Sequence, residues 1–242
     1  MKPGAERIFV ALDFPAREPA LDLARRLAPL GCGFKVGLEL LSAEGPGIIE
    51  ELADQGLRVF VDAKLHDIPN TVHGAARALA ARGAWMITIH VPGGPEMAAA
   101  ALAGARAGTP PGREPPRVAG VTVLTSLSAA QLAQGAGVER DPAAEVVRRA
   151  LAARRWGLDG VVCAPQEARD LRRLLGPDML LVTPGIRPAG SAPDDQRRVA
   201  TAGEAVCWGA DYLVVGRPVR EAADPVAALA ALAEEVERAG AR

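Results

Sequence analysis

The sequence predicts an α/β protein built as a single (β/α)8 barrel, one domain spanning residues 1–242. Three observations lead there. Eight short, almost continuously apolar runs alternate with longer stretches rich in Ala, Leu, Arg and Glu, the pattern of parallel strands covered on both faces by helices. A length of 242 residues suits one barrel, a fold that commonly needs about 250. No Gly-rich dinucleotide turn follows the first run, which disfavours a doubly wound sheet.

In order, "RIFVALD" (7–13) reads as the first strand and ends in Asp13; the helix "EPALDLARRLAPLG" follows and closes in glycine, as helices tend to. "CGFKVG" (32–37) is the second strand and carries Lys35. "LRVFVDAK" (57–64) is the third, ending in Asp62 and Lys64, with Asp67 in the loop before the helix that opens at "PNTV". "AWMITIH" (84–90) ends in His90. The Pro-rich "GTPPGREPP" (108–116) is a plain loop on the stability face of the barrel, leading to "RVAGVTVLT" (117–125) and Ser126. The helix "AAEVVRRALAARRWG" precedes the sixth run, "LDGVVCA" (158–164). The seventh, "MLLVTPG" (179–185), enters a long loop carrying Arg187 and Gln196; the eighth, "DYLVVGR" (211–217), places Gly216 and Arg217 at a strand-to-helix turn. "PVAALAALAEEVERAG" closes the chain as a helix, and no linker or internal repeat beyond the β/α unit divides it.

Composition removes several function classes. A net charge of −1 without a basic block gives no nucleic-acid or membrane surface, and 3% aromatics argues against a base-stacking platform. No apolar run approaches the roughly 18 residues of a membrane span, and the N-terminal apolar run is too short for a signal peptide. Cys32, Cys163 and Cys207 are odd in number and embedded in apolar runs. They are expected to be small buried residues in a reducing cytoplasm rather than a disulfide or zinc set.

Barrel chemistry sits where strands end and βα loops begin, and polar groups end seven of the eight runs. Of 28 lysines and arginines only Lys2, Lys35 and Lys64 are lysine. Where this chain needs only positive charge it uses arginine; lysine differs in carrying a compact ammonium that can release a proton. Asp62 and Lys64, two apart on one strand, share a face, which in a barrel is the interior. With Lys35 and Asp67 they are expected to form an alternating row of charges, too costly to bury for structure alone. Arg187, Gly216 and Arg217 lie on the loops after strands seven and eight, a frequent phosphate site in such barrels; Arg197 and Arg198 are expected in solvent. The histidines, His66, His73 and His90, lack carboxylates at metal-ligand spacing, so no metal is expected, and no Ser-His-Asp order or G-x-S-x-G elbow points to acyl transfer.

The pieces "ALDF", "FKVGLEL", "DAKLHDIPNTV", "VTVLTS", "DGVVCA", "TPGIRPAGS", "DQRR" and "VVGRPV", in this order, resemble the orotidine 5'-phosphate decarboxylase family, bacterial type, from Arg7 to the last helix. The resemblance implies conversion of orotidine 5'-phosphate to UMP and CO2 without a cofactor, in a homodimer with shared active sites. It implies that Asp13 and Lys35 contact the ribose and that Asp62, Lys64 and Asp67 form the catalytic network, Asp67 reaching in from the other subunit. It further implies that Ile68 and Thr71 line the shared site, that Thr125 and Ser126 contact the substrate, and that Gln196 bridges phosphate and base. Arg187, Gly216 and Arg217 would hold the phosphate.

The residues suit that chemistry independently. Loss of CO2 from the pyrimidine leaves a carbanion in the ring plane, beyond reach of the π system, so the protein must stabilise it electrostatically and then protonate it. Lys64 can do both; arginine could not readily do the second. Two alternatives stay open: a metal-dependent sugar-phosphate decarboxylase or aldolase of the same superfamily, and a non-catalytic phosphate-binding barrel. The first would carry a glutamate ligand where this chain has Lys35; the second would not need the charged row.

Overall fold

The computed structural model describes residues 3–188 and 199–240. Eight parallel strands close into a barrel in sequence order, β1 pairing with both β2 and β8. They are β1 (Ile8–Ala11), β2 (Gly33–Val36), β3 (Val59–Leu65), β4 (Ala84–His90), β5 (Arg117–Val121), β6 (Gly160–Val162), β7 (Leu180–Thr183) and β8 (Tyr212–Val215). The helices are α1 (Arg17–Leu27), α2 (Leu38–Glu44), α3 (Gly47–Asp54), α4 (Pro69–Ala81), α5 (Gly94–Gly108), α6 (Ala129–Ala136), α7 (Pro142–Arg155), α8 (Pro165–Leu175), α9 (Ala202–Cys207), α10 (Arg217–Arg220) and α11 (Pro225–Gly240). Seven of the eight apolar runs contain their strand, and β3 extends one residue past its run, to Leu65. No helix among the described residues is long and apolar enough to cross a membrane.

Strand alternation sorts the core into two layers. Ile8 and Val10, Phe34 and Val36, and Val59 and Val61 point outward into the helical shell. Phe9, Ala11, Phe60, Ala119, Val182 and Val214 point inward and fill the barrel. The sparse aromatics are concentrated in this interior: Phe9 packs edge-on against Phe60 and Tyr212 and at 5.2 Å from Trp85, with the Arg117 guanidinium 4.6 Å from the Trp85 ring centre. The same alternation that sends Phe34 and Val36 outward turns Lys35 inward, above this plug.

Two expectations need correction. The fifth run stops being a strand at Val121 rather than Thr125. Thr122 turns its hydroxyl onto the Val162 carbonyl at 2.8 Å, and the chain leaves the sheet through a turn closed by Leu127 N–H donating to Leu124 O. Cys207 is exposed, whereas Cys32 and Cys163 are buried as expected; burial pushes the Cys32 thiol up to about 12, leaving it protonated.

Candidate active site

The sequence expectation of a regular strand through Asp62 and Lys64 is met only in outcome. Between Val61 and Leu65, strand β3 advances four residues while β4 advances two, from Ile87 to Ile89. Asp62, Ala63 and Lys64 therefore face the single residue Thr88. This is a bulge, a device that re-aims side chains near active sites. Lys64 absorbs it with φ +50, the only positive φ outside glycine among the described residues. Thr88 holds the distorted segment at two points: its hydroxyl oxygen accepts from Lys64 N–H at 2.9 Å and its hydroxyl donates to Asp62 Oδ1 at 2.9 Å. A left-handed non-glycine residue costs on the order of 1 kcal/mol, which these bonds offset.

The result is a continuous row of alternating charge across the barrel mouth. Lys35 Nζ lies 3.0 Å from Asp13 Oδ1 and 3.9 Å from Asp62 Oδ2, and Lys64 Nζ lies 2.7 Å from that same Asp62 oxygen. Burial alone would raise the Asp62 carboxyl. The ammonium groups of Lys35 and Lys64, with hydrogen bonds from Lys64 and Thr88, outweigh it and hold Asp62 below the usual carboxylate range. Lys35 is the most enclosed member, its side chain 10% exposed, against 28% for Lys64. Gly37 makes room for the Asp13–Lys35 pair: a Cβ there would stand 2.6 Å from Lys35 Nζ and 2.8 Å from Asp13 Oδ1.

The row forms one side of a cavity of about 490 Å³ at the C-terminal mouth of the barrel, a size suited to a nucleotide-sized ligand. Ala11, Phe60, Val121, Val162 and Val214 make its apolar floor. Arg187, Gly216 and Arg217 also line it, where β7 and β8 end, β8 pairing directly with β1. Arg187 is buried and its backbone is fixed by Arg187 N–H donating to Ala200 O at 2.9 Å. Thr125 lines the wall after β5.

Of the residues predicted from sequence, the structure thus gathers Asp13, Lys35, Asp62, Lys64, Thr125, Arg187, Gly216 and Arg217 around one cavity. It leaves Asp67, Ile68 and Thr71 outside. All three are exposed, Ile68 by 67%, and Asp67 Oδ1 accepts only from the adjacent Ile68 N–H among the bonds resolved here, at 2.7 Å. The fourth charge of the intrachain row is therefore Asp13 and not Asp67, because the helix start at Pro69 carries the chain away from the mouth as soon as β3 ends. Ser126 is exposed beside Thr125 and does not line the cavity; Gln196, with Arg197 and Arg198, lies outside the described residues. His90 sits behind the row with its ring 5.4 Å from that of His66.

Sequence reasoning missed Thr88, Glu39 and Arg220. Glu39 and Arg220 line the cavity, and Arg220 donates to the Asp13 carbonyl and, at 2.7 Å, to Glu221. Thr88 looked like one more β-branched strand residue, and Arg220 like one more arginine in an arginine-rich chain. A threonine is the only polar residue inside "WMITI", and that was the one available signal.

Residues 6–232 match the family model described as orotidine 5'-phosphate decarboxylase / HUMPS family. The chain is 53% identical over 233 residues to an orotidine 5'-phosphate decarboxylase of Anaeromyxobacter sp. (strain K), covering 96% of this chain and 99% of that one. It is 49% identical over 241 residues to that of Halorhodospira halophila, covering 98% and 99%. The crystal structure of orotidine 5'-phosphate decarboxylase from Lactobacillus acidophilus superposes with a TM-score of 0.86 at 40% identity, covering 95% of this chain and 98% of that one.

Proposed function

Because the chain belongs to the orotidine 5'-phosphate decarboxylase / HUMPS family, we propose that it converts orotidine 5'-phosphate to UMP and CO2, the last step of UMP synthesis, without a cofactor. The observation that carries this reading is the Asp13–Lys35–Asp62–Lys64 row in a cavity that also holds two arginines and a strand-to-helix turn, at the ends of β7 and β8. The phosphate lies against Arg187, Gly216 and Arg217, the ribose against Asp13 and Lys35, and the pyrimidine against the apolar floor and Thr125. Gln196 bridges phosphate and base, as in the resemblance.

The ring carboxylate then faces Asp62. Two like charges about 4 Å apart at an effective dielectric near 20 repel by about 4 kcal/mol, a useful share of the 8–23 kcal/mol (roughly) by which enzymes lower barriers. The bond to CO2 breaks, its electron pair stays on the ring carbon, and the Lys64 ammonium stabilises that charge and delivers a proton, leaving a neutral amine that solvent reprotonates. Binding the remote phosphate supplies energy for closure and orientation. The exposed Asp67, Ile68 and Thr71 support a homodimer in which these residues complete the partner's site, and we assign the enzyme to the cytoplasm.

The metal-dependent alternative meets a donor set that does not suit it, since two of the three cavity carboxylates, Asp13 and Asp62, are already bridged by the Lys35 ammonium and only Glu39 is left. The test is the loss of orotidine 5'-phosphate absorbance on adding purified protein, with and without EDTA. EDTA-insensitive turnover supports this reading. EDTA-sensitive turnover favours the metal-dependent relative, and none favours a binding barrel.

A further inference from the structure

Seven polar or charged side chains are buried among the described residues. Lys35, Thr88 and Arg187 belong to the row and its cavity, and Thr183 ends β7 with its hydroxyl toward the Tyr212 carbonyl. Thr122, Glu145 and Arg149 form a second network, behind β5, for which the reaction has no direct use. Arg149 Nε donates to Glu145 Oε1 at 2.6 Å and its Nη1 donates to the Thr122 carbonyl at 2.6 Å. Glu145 also takes both arms of the Arg148 fork, at 2.8 and 2.6 Å. These bonds hold the Glu145 carboxyl down to about 2, against its burial.

The position of this network in the chain gives its meaning. Thr122 is the first residue after β5, Glu145 lies in the first turn of α7, and Arg149 lies one turn further on, midway along that helix. Between them the chain makes a long excursion over the barrel mouth, carrying α6 and the wall residues Val123, Leu124 and Thr125. Arg149 ties the start of that excursion to its end. Thr122 is held from the other side by its hydroxyl on Val162 O, and Val162 belongs to the cavity floor. A buried ion pair is a poor device for stability alone, since apolar residues of similar volume usually serve the fold as well. What a guanidinium adds is direction: one rigid plane holds a carboxylate and a carbonyl at a fixed angle.

We propose that Arg149 is a positioning residue that closes the base of the 123–141 excursion and thereby sets the cavity wall that meets the pyrimidine of the substrate. The claim rests on the reading of the cavity as a nucleotide site. It predicts selective damage: the base end of the ligand loses affinity while the phosphate end, held by β7 and β8, does not.

The experiment compares UMP with ribose 5-phosphate by calorimetry on the Glu145→Leu/Arg149→Met double variant. The Kd for UMP should rise about tenfold and that for ribose 5-phosphate should stay within about twofold, the scale of one charge-assisted hydrogen bond acting on one end of the ligand. An unchanged Kd for UMP, or equal weakening of both ligands, overturns the proposal. If the double variant does not fold, Arg149→Lys replaces it; lysine keeps the charge but not the fork, and the same selective loss is expected. If the wild-type protein fails to bind UMP, the nucleotide reading has failed on its own. The positioning claim is then decided by amide hydrogen exchange in Arg149→Lys, which should quicken within residues 123–128 and not elsewhere. Unchanged exchange there refutes it.

Discussion

Replacing Gly37 by alanine tests the charged row without removing any of its members. The backbone at Gly37, φ −91 and ψ −177, is extended and accepts alanine without strain. The added methyl has no such freedom: it would sit 2.6 Å from Lys35 Nζ and 2.8 Å from Asp13 Oδ1, between groups whose own separation is 3.0 Å. Both are ends of movable side chains, so the fold yields cheaply and the ion pair opens. Stretching that pair from 3.0 Å to about 5 Å at an effective dielectric near 20 removes about 2 kcal/mol of attraction. If the pair is needed in the transition state, kcat/KM for orotidine 5'-phosphate falls about thirtyfold. The melting temperature should fall by no more than roughly 4–8 °C, leaving the protein folded at assay temperature, and Gly47→Ala, whose methyl meets nothing within 4 Å, should leave kcat/KM unchanged. Wild-type kcat/KM in a folded Gly37→Ala protein would show that the Asp13–Lys35 contact does not matter to the reaction.

Further outcomes follow from the same geometry. Arg217→Ala should raise KM and also lower kcat, because phosphate binding serves closure as well as affinity; added guanidinium ion should restore part of the activity, and an unchanged KM removes Arg217 from the phosphate site. Lys64→Ala and Asp67→Ala homodimers should each be almost inactive, yet co-refolding equal amounts should recover roughly a quarter of wild-type activity, since half the dimers are mixed and each holds one intact site. A mixture that stays inactive although mixed dimers form places Asp67 in its own subunit's chemistry. Burial first, then the positive charges of His66, Lys64 and Arg149, hold the His90 imidazolium below its ordinary pKa. As pH falls through about 6.5 the unfolded chain therefore takes up this proton before the folded one, and stability declines. The lowered carboxyls of Asp62 and Glu145 contribute stability that is lost only at more acidic pH. His90→Gln should accordingly flatten part of the fall in melting temperature between about pH 7 and 5.5; an unaltered slope contradicts it.

The barrel was legible because its strands are buried on both faces and so read as apolar runs, and the site was legible because charges interrupt those runs at their C-terminal ends. Lys35 was found by the strongest form of that signal, a lysine amid Phe34 and Val36. The bulge at Asp62–Lys64 was not legible, because it depends on Thr88 from the neighbouring strand and on a backbone angle that no pattern of residue types encodes. The early end of β5 has a similar origin: Thr122 has good strand propensity, but its hydroxyl and carbonyl are claimed by Val162 and Arg149. Cys207 followed an apolar "AV" pair and was expected inside, yet α9 ends there and turns it to solvent.

The central claim is that Lys64 acts as cation and as proton donor within the row, and turnover of Lys64→Arg measured beside Lys64→Ala tests it most directly. Arginine keeps the positive charge next to Asp62 but cannot readily release a proton. The arginine variant should be damaged almost as severely as the alanine variant, with folding intact by circular dichroism. An arginine variant that kept more than about a tenth of wild-type turnover, a barrier change below about 1.4 kcal/mol, would contradict it.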